Sequence, residues 1–345
     1  MSDPIEFLDL MERAEHRRAA RRNFIRLCGG AAAATGGLSL LAACDDDADE
    51  LADPRPTPTP TTGVTDADVL NFALQLEYLE GNYYSYATTG SGIAASLQTG
   101  VGTQGAVATG SGAGAARAVT FTGSTDDRVV GEYAREIAAD EIAHITFLRS
   151  QLGAAAAAQP AINLSGSASV TIGGAAVAGA FTAAARAAGV IGANDIFDPF
   201  ASVENFLIGS YVLTDVGVTA YRGSARLITN RTFLEAAAGI MSVEAYHDGV
   251  IRSNLWQRGL TVPSIYTRIT QISNARDGLD GPTDTDQDIG NAATANLVPT
   301  DAGGLVPGRT AAQVLNVVYQ NRTAVTQGGF FPAGVNGTIR TSGAN

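Results

Sequence analysis

Two short motifs carry the chemistry that this 345-residue chain offers. Glu141-Ile142-Ala143-His144 and Glu244-Ala245-Tyr246-His247 share a Glu-x-x-His spacing, which on an α-helix turns carboxylate and imidazole to one face. Each lies in an apolar stripe of helical period. Val130, Tyr133, Ala134, Ile137, Ile145 and Leu148 surround the first, and Phe233, Ala237, Ile240 and Ile251 the second. The chain has three histidines, at 16, 144 and 247, so both imidazoles beyond the N-terminal segment stand in this arrangement. A solvated helix face would not place its ions inside an apolar stripe. Facing pairs of this kind are donors for a dinuclear metal centre, which in a helix bundle takes one further carboxylate from each of two other helices.

One such helix offers Glu77 and Glu80, both inward by periodicity. Glu77 is preferred and Glu80 kept in reserve, because Tyr84 lies seven residues after Glu77 on the same face, where it can hydrogen-bond within the site as a proton or electron donor. The other helix offers Glu204 and Asp215. A turn centred near Thr229 is 14 residues from Asp215 and 15 from Glu244, so these two meet at one height. Glu204 lies about 16 Å further along the axis at ~1.5 Å per residue. Glu77, Glu141, Asp215 and Glu244 then bring four negative charges, balanced by two divalent cations, with His144 and His247 completing the ligands. Oxygen and imidazole donors suit iron or manganese, although affinity order alone favours copper or zinc. Asp140, one turn before His144, is placed either to orient that imidazole or to face solvent.

Four helices must position these groups. Val69, Phe72, Leu76, Leu79 and Tyr83 predict a helix over 66–88, capped by Thr65 or Asp66. A second begins after Thr125-Asp126-Asp127 and ends at Gly153, a third follows Asp198-Pro199 to about Gly223, and a fourth spans about 232–256. Such long helices suit an antiparallel bundle over 66–259. The Gly/Ala/Ser/Thr-rich stretch 88–123 reads as a surface excursion. The connection 153–193, with strand-like alternation at Ser167–Thr171, supplies one long crossover. Residues 260–345 hold two shorter helices, about 264–275 and 311–319, in a loop-rich extension wrapped on the bundle.

Composition narrows the partners. Thirty-four acidic residues stand against 22 basic ones, all of them Arg, which excludes nucleic acid as an expected partner. Cys28 and Cys44 are the only cysteines, so a disulfide-stapled fold is excluded. Arg21-Arg22-Asn23-Phe24-Ile25-Arg26 before a weakly apolar run reads as a twin-arginine export signal over 1–43. Leu41-Ala42-Ala43-Cys44 resembles a lipobox, which makes Cys44 the expected lipidation site and membrane anchor. An acidic and Pro/Thr-rich segment, 44–65, follows as a tether. The expected location is the periplasm or cell envelope.

The order Glu, Glu-x-x-His, carboxylate, Glu-x-x-His resembles the ferritin-like superfamily of ferritins, rubrerythrins and manganese catalases. Phe72-Ala73-Leu74-Gln75-Leu76-Glu77-Tyr78-Leu79-Glu80, Phe197-Asp198-Pro199-Phe200, Gly217-Val218-Thr219-Ala220-Tyr221 and Gly328-Gly329-Phe330-Phe331-Pro332 resemble the desiccation-related proteins of plants and their bacterial relatives. The resemblance implies an all-α, ferritin-like four-helix bundle with a long crossover between its second and third helices. It also implies a centre of two divalent ions, iron or manganese, and compatibility with a homo-oligomer. Bacterial relatives often carry Glu-Asp where this chain has Thr214-Asp215, so Asp215 must stand in for that Glu or the site is weakened. Two functions follow: redox chemistry on a small-molecule oxidant, peroxide or oxygen, in envelope stress defence, or a non-catalytic protective role with a structural metal or none.

Overall fold

A computed structural model of the protein describes residues 63–283 and 285–345. The expected export signal, Cys44 and nearly all of the tether lie outside the described residues. Helix α1 spans Asp66–Thr89, α2 Thr125–Leu152, α3 Ala180–Ala187, α4 Val203–Ser224, α5 Arg231–Gly259, α6 Ser264–Asp280 and α7 Ala311–Tyr319. No described helix is long and apolar enough to cross a membrane.

Each bundle helix starts where the sequence supplies an acceptor for its free N–H groups. Thr65 with Asp68, and Ser124 with Asp127, close reciprocal capping boxes on α1 and α2. The Ser202 hydroxyl accepts from the Asn205 N–H, and the Asn230 side chain from the N–H groups of Thr232 and Phe233. The Asp66 carboxylate accepts the Thr229 and Asn230 N–H groups, each at 2.8 Å, and so fixes the α4–α5 turn against the start of α1. Helix α1 packs mainly along α2 and α4 along α5, and α1–α4 and α2–α5 contacts close a four-helix bundle. The α2–α4 connection, residues 153–202, is its single long crossover.

The low-complexity stretch after α1 is not a surface excursion. Ile93, Val119 and Phe121 are buried in the core, and β1 (Val107–Ala108) pairs in parallel with β2 (Ile162–Asn163) of the crossover. Its glycines are there because backbone meets backbone. A Cβ on Gly105 would fall 2.1 Å from the Ala161 nitrogen, and one on Gly114 2.2 Å from the Gly166 carbonyl carbon. The expected alternation at 167–171 ends in an antiparallel hairpin, β3 (Val170–Ile172) with β4 (Ala175–Val177). Beyond it α3 sets Phe181 against Tyr83 of α1, ring centroids 5.3 Å apart.

In the C-terminal extension α6 runs five residues beyond the expected end and packs on α5, while α7 packs on α6 and α4. The Gly328–Phe331 turn delivers Phe330 and Phe331, both buried, into the core. The crossover and extension therefore cover α1 on the sides its bundle partners leave open. That is why almost every side chain from Leu74 to Ser85, Glu77 and Glu80 included, is buried.

Candidate metal centre

Three helices bring four carboxylates and two imidazoles to the middle of the bundle. Glu77 and Glu80 come from α1, Glu141 and His144 from α2, and Glu244 and His247 from α5, all buried. One ligand atom from each of Glu77, Glu141, His144 and Glu244 lies within 4.8 Å of those of the other three. The His144 Nδ1 is 3.2 Å from Glu77 Oε2, 3.5 Å from Glu244 Oε1 and 3.7 Å from Glu141 Oε2. The His247 Nδ1 is 3.2 Å from Glu141 Oε1. Glu141 therefore stands between the imidazoles with one oxygen toward each, and the two rings lie 6.3 Å apart by centroid. The Tyr221 hydroxyl of α4 donates a short hydrogen bond to Glu77.

Charge at this spot has no internal answer. Among the described residues the carboxylates' ion pairs run to histidines alone, with no guanidinium in the cluster. Glu141 Oε1 and Oε2, Glu244 Oε2 and His247 Nδ1 are buried without a hydrogen-bond partner. Burial first and the neighbouring Glu77 charge second push the Glu141 carboxyl up to about 8. Glu244 is pushed up to about 8 by burial and then by Glu141. Burial, then the charges of Glu244, Glu141 and Glu77, raise Glu80 well above its ordinary range. Burial opposes a charge on His144, yet hydrogen bonds to Glu141, Glu244 and Glu77 outweigh it and raise the imidazole. Burial also works against the Glu77 anion, but the His144 hydrogen bond and charge hold that carboxyl below its ordinary value. Carboxylates that repel one another, with orphaned oxygen and imidazole donors among them, are what a buried metal centre presents to its ions, and this donor set fits one.

The sequence-derived ligand set needs one exchange. Asp215 is not in the cluster: its carboxylate pairs with Arg252 at 3.2 Å and, more closely, with Arg276 of α6. Equal distance from a turn fixes height along a helix but not direction around it. Gly217 is the α4 residue that faces the site, since a Cβ there would lie 3.2 Å from Glu244 Oε2 and 3.3 Å from Glu80 Oε1. Asp215, two residues earlier, is about 200° around the helix and looks the opposite way. The reserve residue Glu80 lies beside Gly217 on the cluster's side of α1, and α4 brings no carboxylate there. Glu204 pairs with Arg268 at 2.9 Å, away from the cluster.

Tyr84 is buried, but its hydroxyl shares a 2.8 Å hydrogen bond with Thr214 instead of reaching a cluster carboxylate. The phenol that touches the site is Tyr221, which the sequence reading valued only as part of a family-like run. It stands one turn after Gly217 on the same stripe, and that spacing was the available signal. Asp140 orients the other imidazole: its Oδ2 is 3.0 Å from His247 Nε2, across the α2–α5 contact. With the proton on Nε2, that nitrogen donates to Asp140 and Nδ1 is left as the ligand atom.

The comparisons with known proteins agree with this geometry. The family model described as "Ferritin-like domain" matches residues 65–257, from the cap of α1 to the end of α5. The chain is 25% identical over 295 residues to the ferritin-like catalase Nec2 of Nesocodon mauritianus, covering 81% of this chain and 86% of that one. It is 33% identical over 86 residues to the desiccation-related protein PCC13-62 of Craterostigma plantagineum, 23% of this chain and 28% of that one. No solved structure is matched. With the family model spanning the four bundle helices and both Glu-x-x-His motifs, the chain belongs to the ferritin-like domain family.

Proposed function

We propose that this protein is a dinuclear-metal oxidoreductase that disproportionates hydrogen peroxide. Glu77, Glu80, Glu141, His144, Glu244 and His247 are the ligands in this reading, and iron or manganese the metal. One observation carries it: four buried carboxyls converge with no arginine among their partners in the described residues, and once deprotonated they bring four charges that two divalent cations balance. The likeness to a ferritin-like catalase along most of both chains supports peroxide as the substrate.

Bound there, a pair of redox-active ions supplies two-electron exchange with peroxide. One H2O2 takes two electrons and two protons and leaves as two waters. A second gives up two electrons and two protons and leaves as O2. The chain's own part is to hold the ions, orient their ligands and keep bulk water out. Burial and their mutual repulsion raise Glu80, Glu141 and Glu244 in the metal-free chain, so these carboxyls hold protons there and give them up to bind the ions. The Tyr221 hydroxyl keeps Glu77 oriented by donating to it. Asp140 holds His247 by its outer nitrogen.

The twin-arginine and lipobox-like segments support an exported, membrane-anchored setting for this activity, which detergent partition of the wild type and Cys44→Ala would test. For the reaction, the full chain is loaded with Mn(II) or Fe(II), its metal content measured by elemental analysis, and oxygen release from peroxide recorded. About two ions per chain and turnover well above that of free metal are expected. A folded, fully loaded chain with no such turnover would leave the protective, non-catalytic reading, which the local likeness to a desiccation-related protein favours.

A further inference from the structure

The side of the metal cluster away from the histidines is where α4 withholds a side chain. Gly217 faces Glu80 and Glu244, and the Glu244 oxygen nearest to it, Oε2, has no hydrogen-bond partner. A small void of about 20 Å³, room for about one water, reaches Glu80 and Gly217 from between α1, α4 and α7. Its walls include Val212, Val317 and Phe330. The same three residues line a second and larger cavity, about 320 Å³, bounded by α3, α4, α6 and α7. Exposed Ala187 and Gly278 stand at the outer end of that cavity. Its lining is apolar except for Arg276 and Gln320, and alanines on α3 make much of the room.

Two cavities share three wall residues, the outer one lined in part by exposed residues and the inner one reaching the site, so they join into a path with a neck when those side chains move apart. We propose that this path is the entrance to the metal centre for a small uncharged oxidant, with Val212, Val317 and Phe330 as the neck and Gly217 as the opening onto the ions. The inference rests on the dinuclear-metal reading above. The chemistry of the walls selects the ligand. An apolar neck offers an ion no hydrogen bonds, and an ion's desolvation is far costlier than that of a neutral molecule, while the void of about 20 Å³ beyond it has room for little more than one small molecule. Dioxygen and hydrogen peroxide both meet that description. The histidine side is polar, with Asp140 partly exposed beside His247, and is unsuited to the same selection.

The probe is nitric oxide, an uncharged diatomic that binds ferrous ions and is followed by absorbance after rapid anaerobic mixing with the full, iron-loaded chain. Val212→Phe and Val317→Phe, which fill the neck, are expected to slow its binding at least tenfold with the bound iron per chain unchanged. Val212→Ala, which widens the neck, keeps a rate at or above that of the wild type and shows that position 212 is not acting through loss of folding. Gly217→Ala adds a methyl in tight contact with Glu80 and Glu244 and is expected to weaken nitric oxide at equilibrium by tenfold or more. Mid-helix alanine is intrinsically better than glycine, which offsets part of that tight contact, and an unchanged iron content per chain checks that the variant is folded. Slowing of oxidation by dissolved oxygen, by peroxide or by both in the same variants assigns the entrance to its user. Unchanged nitric oxide rates in iron-loaded Val212→Phe and Val317→Phe overturn the entrance and leave the metal reading intact. A wild type that holds no iron overturns the metal reading and the entrance with it.

Discussion

The protein buries two dense charge clusters on opposite sides of α4, and they are built on opposite plans. At the candidate metal centre four carboxylates and two imidazoles meet, with no arginine among the described residues. In the second cluster Asp215, Asp248, Asp280 and Asp286 are interleaved with Arg252, Arg276 and Arg309. Arg309 joins Asp280 at 2.6 Å and Asp286 more closely, and it donates to the Thr219 hydroxyl at 2.6 Å. Arg252 and Arg276 also lie over the Tyr211 ring, at 5.6 and 4.5 Å from its centroid. One cluster is nearly neutral by itself and ties the extension, through α6 and the segment around Asp286 and Arg309, to α4 and α5. The other sets four carboxylates against two imidazoles, so it escapes a strong negative charge only by holding protons or ions. The contrast teaches that burial of charge alone does not mark a metal site; the absence of an internal counter-cation does.

The largest effect should come from breaking the self-neutral cluster. Arg309→Ala leaves Asp280 buried without its arginine and Asp286 with Arg276 alone, and loss of one member of a buried pair costs about 3–5 kcal/mol. Urea unfolding of the metal-free protein is the measurement. A loss below about 1 kcal/mol would mean that the network does not hold the extension in place.

The pH response separates the two plans further. Glu141 and Glu244 titrate near 8 in the folded, metal-free chain against an ordinary 4.5, so the native state holds more protons than the unfolded chain between those values. Their contribution is therefore present at low pH and lost as pH rises through about 5 to 8. His144, also raised, acts in the same direction above its ordinary 6.5. Asp286, pushed up to about 7 by burial against the pull of Arg276 and Arg309, adds a share from the other cluster. The stability of metal-free protein should fall by a few kcal/mol over this window, because each tenfold difference in proton affinity between the folded and unfolded chain is worth about 1.4 kcal/mol. Glu141→Gln should flatten the slope and abolish stoichiometric metal binding together. Bound metal displaces the same protons, so metal affinity should climb with pH where metal-free stability declines. A metal-free chain whose unfolding midpoint is level from pH 5 to 8 would contradict the charge distribution described for the cluster.

The same contrast explains what could be read from the chain in advance. The bundle and the positions of Glu77, Glu141, His144, Glu244 and His247 were legible because periodicity and chemistry coincide in them. Glu80 was legible as inward but not as a member, since nothing in one sequence says that α1 supplies two carboxylates and α4 none. Asp215 misled because its partners are distant in sequence. Arg276 comes from a helix that the bundle pattern does not need, and a carboxylate buried against guanidinium looks, along the chain, like one buried against metal. The stretch 90–123 misled for another reason. Small residues signal either a loose loop or backbones in close approach, and only the parallel pairing at Val107–Ile162 tells the two apart.

The smallest effect expected is at Asp140, and it tests whether support from the rim of the metal cluster matters at all. Its carboxylate is 41% exposed and touches the site only through His247 Nε2. Asp140→Asn keeps the shape and removes the charge that favours a proton on that nitrogen, so the ring less often presents Nδ1 to the interior. Changes of this kind in the partner of a metal-bound histidine typically weaken metal by 10- to 100-fold, and partial exposure puts this one at about tenfold. Because the residue lies at the edge of the buried charge, the unfolding midpoint of the metal-free protein should stay where it is. Chelator competition reads the first quantity and urea unfolding the second. Equal metal affinity in Asp140→Asn and the wild type would mean that His247 is oriented by Glu141 and packing alone. A lowered metal-free midpoint would instead put Asp140 with the self-neutral network, as a residue that serves the fold and not the ions.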